Sequence, residues 1–251
     1  MQSVTRVPVG VLDRSVAILD AVEQGARTLG DVVARTGLHR ATAHRLAAAL
    51  EDHGLLTREG GHGYRLGPRL LSLATAAARE LPLRELAHPA IERLARATGE
   101  TAQLYVRSGD RRVCVDAVES TSELRTIVPV GADLPLTAGS AGKIFLAWAA
   151  NADRERLLLH LEPYTPATPT DPQVLRRQLA VARRRGWANS VGEREHGVAS
   201  VSAPVVGPHG ELVAVASVSG PATRIARGRA AQYAPAVLAA AQEIARALGA
   251  A

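Results

Sequence analysis

Thr28-Leu-Gly-Asp-Val-Val-Ala-Arg-Thr-Gly-Leu-His-Arg-Ala-Thr-Ala-His-Arg-Leu46 reads as two short helices hinged on a glycine. Thr28 and Asp31 stand three residues apart. That is the spacing of a capping box, in which a hydroxyl and a carboxylate each satisfy the other's backbone N–H, here with Asp in place of the usual Glu. The first helix runs through Val32, Val33 and Ala34 and stops at Gly37, because glycine reaches the backbone angles of a tight turn without steric cost. The second runs from about His39 to His53. Its apolar face is Ala43, Leu46, Ala47 and Leu50, and its other face shows Arg40, Thr42, His44 and Arg45. Helix, short glycine turn, helix is the helix-turn-helix pattern. Basic groups near the N-terminal end of the second helix stand where base edges would be met in a major groove.

Upstream, Leu12, Val16, Leu19 and Val22 recur at spacings of four and three, which predicts an amphipathic helix ending at Gly25. Downstream, Leu55–Arg58 and Tyr64–Leu66 flank the turn Glu59-Gly-Gly-His-Gly63, which predicts a β-hairpin. A hairpin directly after a recognition helix is a wing, able to reach phosphates or an adjacent minor groove. The expected DNA-binding set is therefore Arg40, Ala41, Thr42, His44, Arg45, Arg58, His62 and Arg65.

Bulk charge does not carry this reading. The 251 residues have a net charge of +6, but residues 1–67 hold eight Arg against seven acidic residues. A basic balance suggests an acidic partner without locating it. Apolar residues at 47% and charged residues at 22% fit a globular chain of one or two domains. Aromatics are only 3%, so the cores must be built from Ala, Leu and Val. The single cysteine, Cys114, excludes an internal disulfide and a zinc site built on several thiolates, and reads as a buried strand residue. No apolar run is long enough to span a membrane and the N-terminus lacks a signal core, so the expectation is a cytoplasmic protein.

Beyond residue 66 the pattern changes. Leu66 to Arg79 is Leu- and Ala-rich at helical spacing, a linker helix broken at Leu81-Pro82. A helix is expected over about 83–97, strands over 101–107, 112–118 and 124–130, and helices over 140–149 and 171–185. Strands over 198–206 and 212–218 and a final helix over about 230–248 complete an α+β domain with an antiparallel sheet. Ala138-Gly-Ser-Ala141 leads straight into a helix, whose unpaired N–H groups suit a carboxylate. Ser217 and Ser219 alternate along one strand and share a face.

Catalytic readings find little support. Gly139-Ser-Ala-Gly-Lys143 lacks the spacing of a phosphate loop and the Ser or Thr after Lys. No Gly-x-Ser-x-Gly elbow occurs, and His88, His160, His196 and His209 show no metal-ligand spacing. Glu193 and Glu195 are near enough in sequence to form an acid pair, but a solvated loop is the simpler reading. No catalytic residue, metal or cofactor is expected. The competing classes are a small-molecule enzyme with an accessory helical domain, and an interaction module that uses the helix-turn-helix only for dimerisation.

Several blocks resemble one family in order along the chain. Gly10-Val-Leu-Asp-Arg-Ser-Val-Ala-Ile-Leu19, Leu38-His-Arg-Ala-Thr-Ala-His-Arg-Leu46 and Tyr64-Arg-Leu-Gly-Pro-Arg-Leu-Leu-Ser-Leu73 resemble the N-terminal part of IclR-type bacterial transcriptional regulators. Leu134-Pro-Leu-Thr-Ala-Gly-Ser-Ala-Gly-Lys143, Arg185-Gly-Trp187, Gly197-Val-Ala-Ser-Val-Ser-Ala-Pro204 and Val215-Ala-Ser-Val-Ser-Gly-Pro221 resemble its effector domain. Thr137 departs from the His that the family often carries there, and Ser200 from its Cys. The stretch from Gly186 to Pro221 looks especially like actinobacterial members tied to amino-acid and nitrogen metabolism.

The resemblance implies a winged helix-turn-helix at 1–66, a linker helix at 67–81 and a GAF-like effector-binding and oligomerisation domain at 82–251. It implies a homodimer or tetramer, double-stranded operator DNA as one partner, and a small-molecule effector, a small carboxylate or amino acid, as the other. By the same resemblance Ser140, Ala141, Ser190, Ser200, Ser217 and Ser219 match positions that line the effector pocket.

Overall fold

The computed structural model describes residues 10–59, 63–73, 83–226 and 228–250. The chain divides into two units, residues 1–81 and 82–251. The first holds α1 (Gly10–Glu23), α2 (Leu29–Thr36), α3 (Arg40–Asp52) and the strands β1 (Leu56–Glu59) and β2 (Gly63–Leu66). The capping box forms: the Asp31 N–H donates to Thr28 Oγ1 at 3.2 Å and the Thr28 N–H to Asp31 Oδ2 at 2.8 Å. Those backbone donors, Thr28 first and then Arg27, hold the Asp31 carboxyl below its ordinary range. Gly37 closes α2 at φ 66°, in the left-handed region where a Cβ is disfavoured.

Ile18, Val22, Val32, Ala43, Ala47, Leu50, Leu56 and Tyr64 form the core of this unit. The expected face of α1 is partly wrong. Leu12 and Val16 are 60% and 45% exposed, while Ile18, Ala21 and Val22 are buried. The core is reached only from Ile18 onward, so among the described residues the first turns of α1 are left uncovered. β1 and β2 pair antiparallel from Leu56↔Leu66 to Glu59↔Gly63. The Tyr64 N–H donates to the Arg27 carbonyl at 2.7 Å and fixes this hairpin to the start of α2. Of the expected linker helix, residues 69–73 are helical and 74–81 lie outside the described residues.

The second unit holds α4 (Leu83–Thr98), β3 (Thr101–Ser108), β4 (Arg111–Val118), β5 (Asp133–Pro135), α5 (Ser140–Trp148), α6 (Asn151–Leu158), α7 (Pro172–Arg185), β6 (Ala188–Val191), β7 (Val198–Val206), β8 (Leu212–Pro221), α8 (Ala222–Ile225) and α9 (Ala230–Ala247). Six strands make one antiparallel sheet in the order β5-β4-β3-β8-β7-β6. Successive residues of a strand face opposite sides, and here the two sides differ in chemistry. Ala102, Leu104, Val201, Ala203, Ala216 and Val218 join the large apolar core with Ile91 and Leu94 of α4 and Val237, Ala241 and Ile244 of α9. The alternate residues carry hydroxyls and amides, and α5 lies against that side through β7 and β8.

One expected strand is absent. Residues 124–130 take no regular structure, and the third strand of this region is the short β5. Alternating burial is there, with Thr126 and Val128 buried and Ile127 exposed. The backbone goes elsewhere: the Thr126 carbonyl accepts from Thr101 Oγ1 at 2.7 Å, and Pro129 has no N–H to give a ladder. The sequence reading also passed over α6 and β6.

Candidate functional site

On α3 the core side is Ala43, Ala47 and Leu50. A helix repeats every 3.6 residues, so Ala41 and Arg45 fall on its far side and His44 on its flank, while Arg40 heads the helix about two turns before Ala47. All four are exposed and Thr42 is half-buried. Arg40, His44 and Arg45 make no hydrogen bond or ion pair with any described residue. Three exposed polar or cationic side chains with no internal partner, in the first two turns of a helix, can meet phosphates or base edges.

The hairpin behaves differently. Arg58 donates through Nε to Glu51 Oε1 at 2.8 Å and through Nη2 to the Tyr64 hydroxyl at 3.2 Å, and its guanidinium lies 4.9 Å from the Tyr64 ring centre. Its first contacts therefore brace β1 against α3 and β2. Arg65 is exposed on β2, and His62 lies outside the described residues.

The second cluster sits on the polar side of the large sheet. β-pairing sets Ser190 opposite Ser200, Ser200 opposite Ser219 and Ser219 opposite Thr101, a row of hydroxyls across four strands. The next row runs from Ser202 through Ser217 to Gln103. Ser140, the first residue of α5, closes over both. Its Oγ donates to Ser200 Oγ at 2.7 Å and lies 2.6 Å from Ser202 Oγ. Ser202 donates to Ser217 Oγ at 2.8 Å, Ser217 to the Val201 carbonyl at 3.3 Å, and Gln103 Nε2 to Ser219 Oγ at 2.6 Å.

Ser140, Ala141, Ser190, Ser200, Ser217 and Ser219 all line one cavity of about 30 Å³, far below the range for small-molecule sites, so a ligand must open it on entry. Its wall also includes Tyr105, Arg112, Val128, Arg194 and Val198, which the sequence reading did not single out, with Gly139 of the expected helix start and Glu195 of the Glu193–Glu195 pair. Arg112 could have been found from pattern. It alternates with Cys114, which pairs with the inward Tyr105, but its place beside a charged hairpin turn made it look solvated.

Arg112 is 3% exposed. Its Nη1 donates to the Pro135 carbonyl and, at 3.0 Å, to the Ala138 carbonyl. The guanidinium lies 5.5 Å from the Tyr105 ring centre, and Nε has no partner. Burial pushes its pKa down to about 10, so it stays charged at neutral pH. Gly139 and Gly142 make its berth, since a side-chain carbon on Gly142 would collide with the guanidinium and with the Leu136 carbonyl.

Glu193 was expected in a solvated loop and is buried instead. Lys143 Nζ donates to its Oε1 and, at 3.1 Å, to the Asn189 carbonyl. The Gly139 N–H donates to its other oxygen at 3.2 Å. Burial lowers the Lys143 pKa and Glu193 opposes that shift. The carboxylate thus ties the start of α5 to the β6–β7 turn. Glu195 does not join it, pairing at the surface with Arg194 at 3.3 Å. Among the described residues no group of three or more His, Cys, Asp and Glu is placed to hold a metal ion, and no helix is long and apolar enough to cross a membrane.

Two family models match the chain. One, "Bacterial transcriptional regulator IclR C-terminal", matches residues 75–246, and the other, "IclR helix-turn-helix domain", matches residues 11–60. Among curated proteins the chain is 34% identical to the HTH-type transcriptional regulator BhcR of Paracoccus denitrificans, over 93% of this chain and 85% of that one. It is 30% identical to the transcriptional repressor IclR of Escherichia coli, over 95% of this chain and 89% of that one. Among solved structures, an IclR homolog from Microbacterium hydrocarbonoxydans complexed with 4-hydroxybenzoate superposes with a TM-score of 0.81 at 30% identity, covering 96% of this chain and all of the other.

Proposed function

This chain belongs to the IclR family of bacterial transcriptional regulators, and from that premise we propose that α3 reads the operator while the serine-lined cavity of the second unit reads the effector. Relatives of this kind are named regulators and repressors, and the chain is a ligand-responsive DNA-binding regulator, not an enzyme. We place its ligand among small carboxylates and amino acids, and its target genes in the metabolism of such compounds.

The observation that carries the effector reading is convergence. Six positions scattered from 140 to 219 line one cavity, and Ser190, Ser200, Ser217 and Ser219 are held there by strand register. For DNA, the support is the exposed side of α3, where Arg40 and Arg45 are the principal base or phosphate contacts with Ala41, Thr42 and His44 beside them. Arg58 and Arg65 of the hairpin, with His62, complete the interface. Arg58 must loosen its hold on Glu51 or reach phosphate with its remaining donors. The chain works as a homodimer or tetramer, and a two-fold dimer reads two half-sites, so the operator is nearly palindromic.

A footprint on the protein's upstream region, with and without small carboxylates and amino acids, tests this. The expected result is a protected, near-palindromic segment whose occupancy changes with at least one ligand. No protection of any fragment at low salt, where phosphate contacts are strongest, would leave only the interaction-module reading.

A further inference from the structure

Among the described residues five charged side chains of the second unit are buried: Glu100, Arg112, Asp116, Lys143 and Glu193. Four of them have a partner of opposite charge or one that can be protonated. Glu100 accepts from Nε and Nη2 of Arg224 at 2.6 and 2.8 Å. Asp116 meets His88 at 2.8 Å and Arg84 at 3.4 Å. Lys143 and Glu193 hold each other. Arg112 alone has none. Its two hydrogen bonds go to carbonyl oxygens, Nε–H points to no acceptor, and it forms part of the cavity wall.

We propose that Arg112 is the anion anchor of the cavity and that the effector is a small monocarboxylate with an uncharged tail. This rests on the cavity being the effector site. A buried, unpaired guanidinium is strongly disfavoured unless an anion is supplied, and a cavity wall is where a ligand can supply it. Two carbonyls hold one terminal nitrogen and leave the other edge of the fork for a carboxylate, the geometry guanidinium matches best.

The charge count sets the valence. Arg194 and Glu195, the other charged groups of the wall, neutralise each other, so one positive charge is uncompensated and one carboxylate balances it. The tail then faces hydroxyls, the Tyr105 ring and Val128, with no carboxylate left for an ammonium. That disfavours zwitterionic amino acids and narrows the ligand class given above. The remaining N–H groups at the start of α5 lie beside Ser140 and reinforce an anion placed there.

The test is calorimetric titration of the full chain with glycolate, lactate, pyruvate and 4-hydroxybenzoate, each beside its amide, and with alanine. At least one acid is expected to bind about 10- to 100-fold tighter than its amide, the worth of a charge-assisted hydrogen bond, and tighter than alanine. Arg112→Gln should erase that preference and Arg112→Lys should retain part of it. Ser217→Ala should weaken acid and amide by the same factor.

Arg112 also ties two carbonyls, so a purely structural role predicts that its variants destabilise the fold while the acid–amide ratio stays near one. That ratio in the native chain decides the matter even if Arg112→Gln fails to fold. Equal binding of acid and amide, or a preference that survives Arg112→Gln, overturns the anchor and leaves the cavity as the effector site. Binding by none of the acids, amides or alanine overturns the cavity reading, and the anchor with it.

Discussion

The outward side of α3 and the floor of the cavity are both polar surfaces in an Ala-rich chain, yet they are built in opposite ways. Arg40, His44 and Arg45 are exposed and bound to nothing among the described residues. The cavity floor is buried, and Ser140, Ser200, Ser202, Ser217, Ser219 and Gln103 are hydrogen-bonded to one another or to backbone. A side chain that must meet a large polyanion in water can stay solvated until contact, because charge acts at a distance. One that must recognise a small ligand is desolvated beforehand, and each donor needs a partner to offset that loss. Substitutions should therefore cost function without stability in the first region and both together in the second.

The largest expected effect is at the buried ion pair beside the cavity. Lys143→Met leaves the Glu193 carboxylate uncompensated and should destabilise the second unit by about 3–5 kcal/mol in urea unfolding. The double variant with Glu193→Gln should recover much of that. A loss below about 1 kcal/mol, as for a surface pair, would show that the site is wet and break the contrast.

Cys114 probes the same region chemically. Burial pushes its thiol up to about 12 from an ordinary 9. At pH 8 its thiolate should be about 1000-fold scarcer than in the unfolded chain, since each pKa unit is a factor of ten. Labelling by a neutral thiol reagent should slow accordingly in the native protein. Equal rates with and without urea would mean that β4 opens readily.

At the other surface, Arg40→Ala should weaken operator binding by about 1–3 kcal/mol if the contact to a base is bidentate. Its midpoint in urea should not move. Unchanged operator affinity in a gel-shift titration would remove Arg40 from the interface, and a shifted urea midpoint would deny that α3's outward side is structurally idle. The smallest effect is the control on α2. Thr28→Ala removes one half of the capping box and should lower the stability of the first unit by about 1 kcal/mol, with operator contacts touched only indirectly. A loss of DNA binding larger than the loss of stability would bring the start of α2 into the interface.

Legibility followed the same divide. The helix-turn-helix was readable because its signals are local: Thr28 with Asp31, Gly37, and the spacing of Ala43, Ala47 and Leu50. The error on α1 came from treating Leu12 and Val16 as equivalent to Ile18, when only tertiary packing decides how far along a helix the core extends. In the second unit, β7, β8 and the last helix fell nearly where their patterns put them, while 124–130 alternates like a strand but spends its carbonyl on Thr101. The serines of the cavity were named through family resemblance. Alternation with Cys114 put Arg112 on the inward side of its strand, but nothing near Arg112 or Glu193 in sequence reveals that Ala138, Pro135 or Lys143 will be their surroundings.

The large sheet finally suggests how such a protein can change what it senses. Residues that hold α4 and α9 alternate, one for one, with residues that face the cavity, so the two sets share strands but not neighbours. A replacement at 190, 200, 217 or 219 alters one register position of the floor while the apolar layer behind it is untouched. Positions that do not share partners contribute independently. Ligand preference can thus drift through single substitutions whose expense falls on the hydrogen bonds of the floor and not on the apolar layer, and a lineage carrying this sheet can acquire new ligands without dismantling its core.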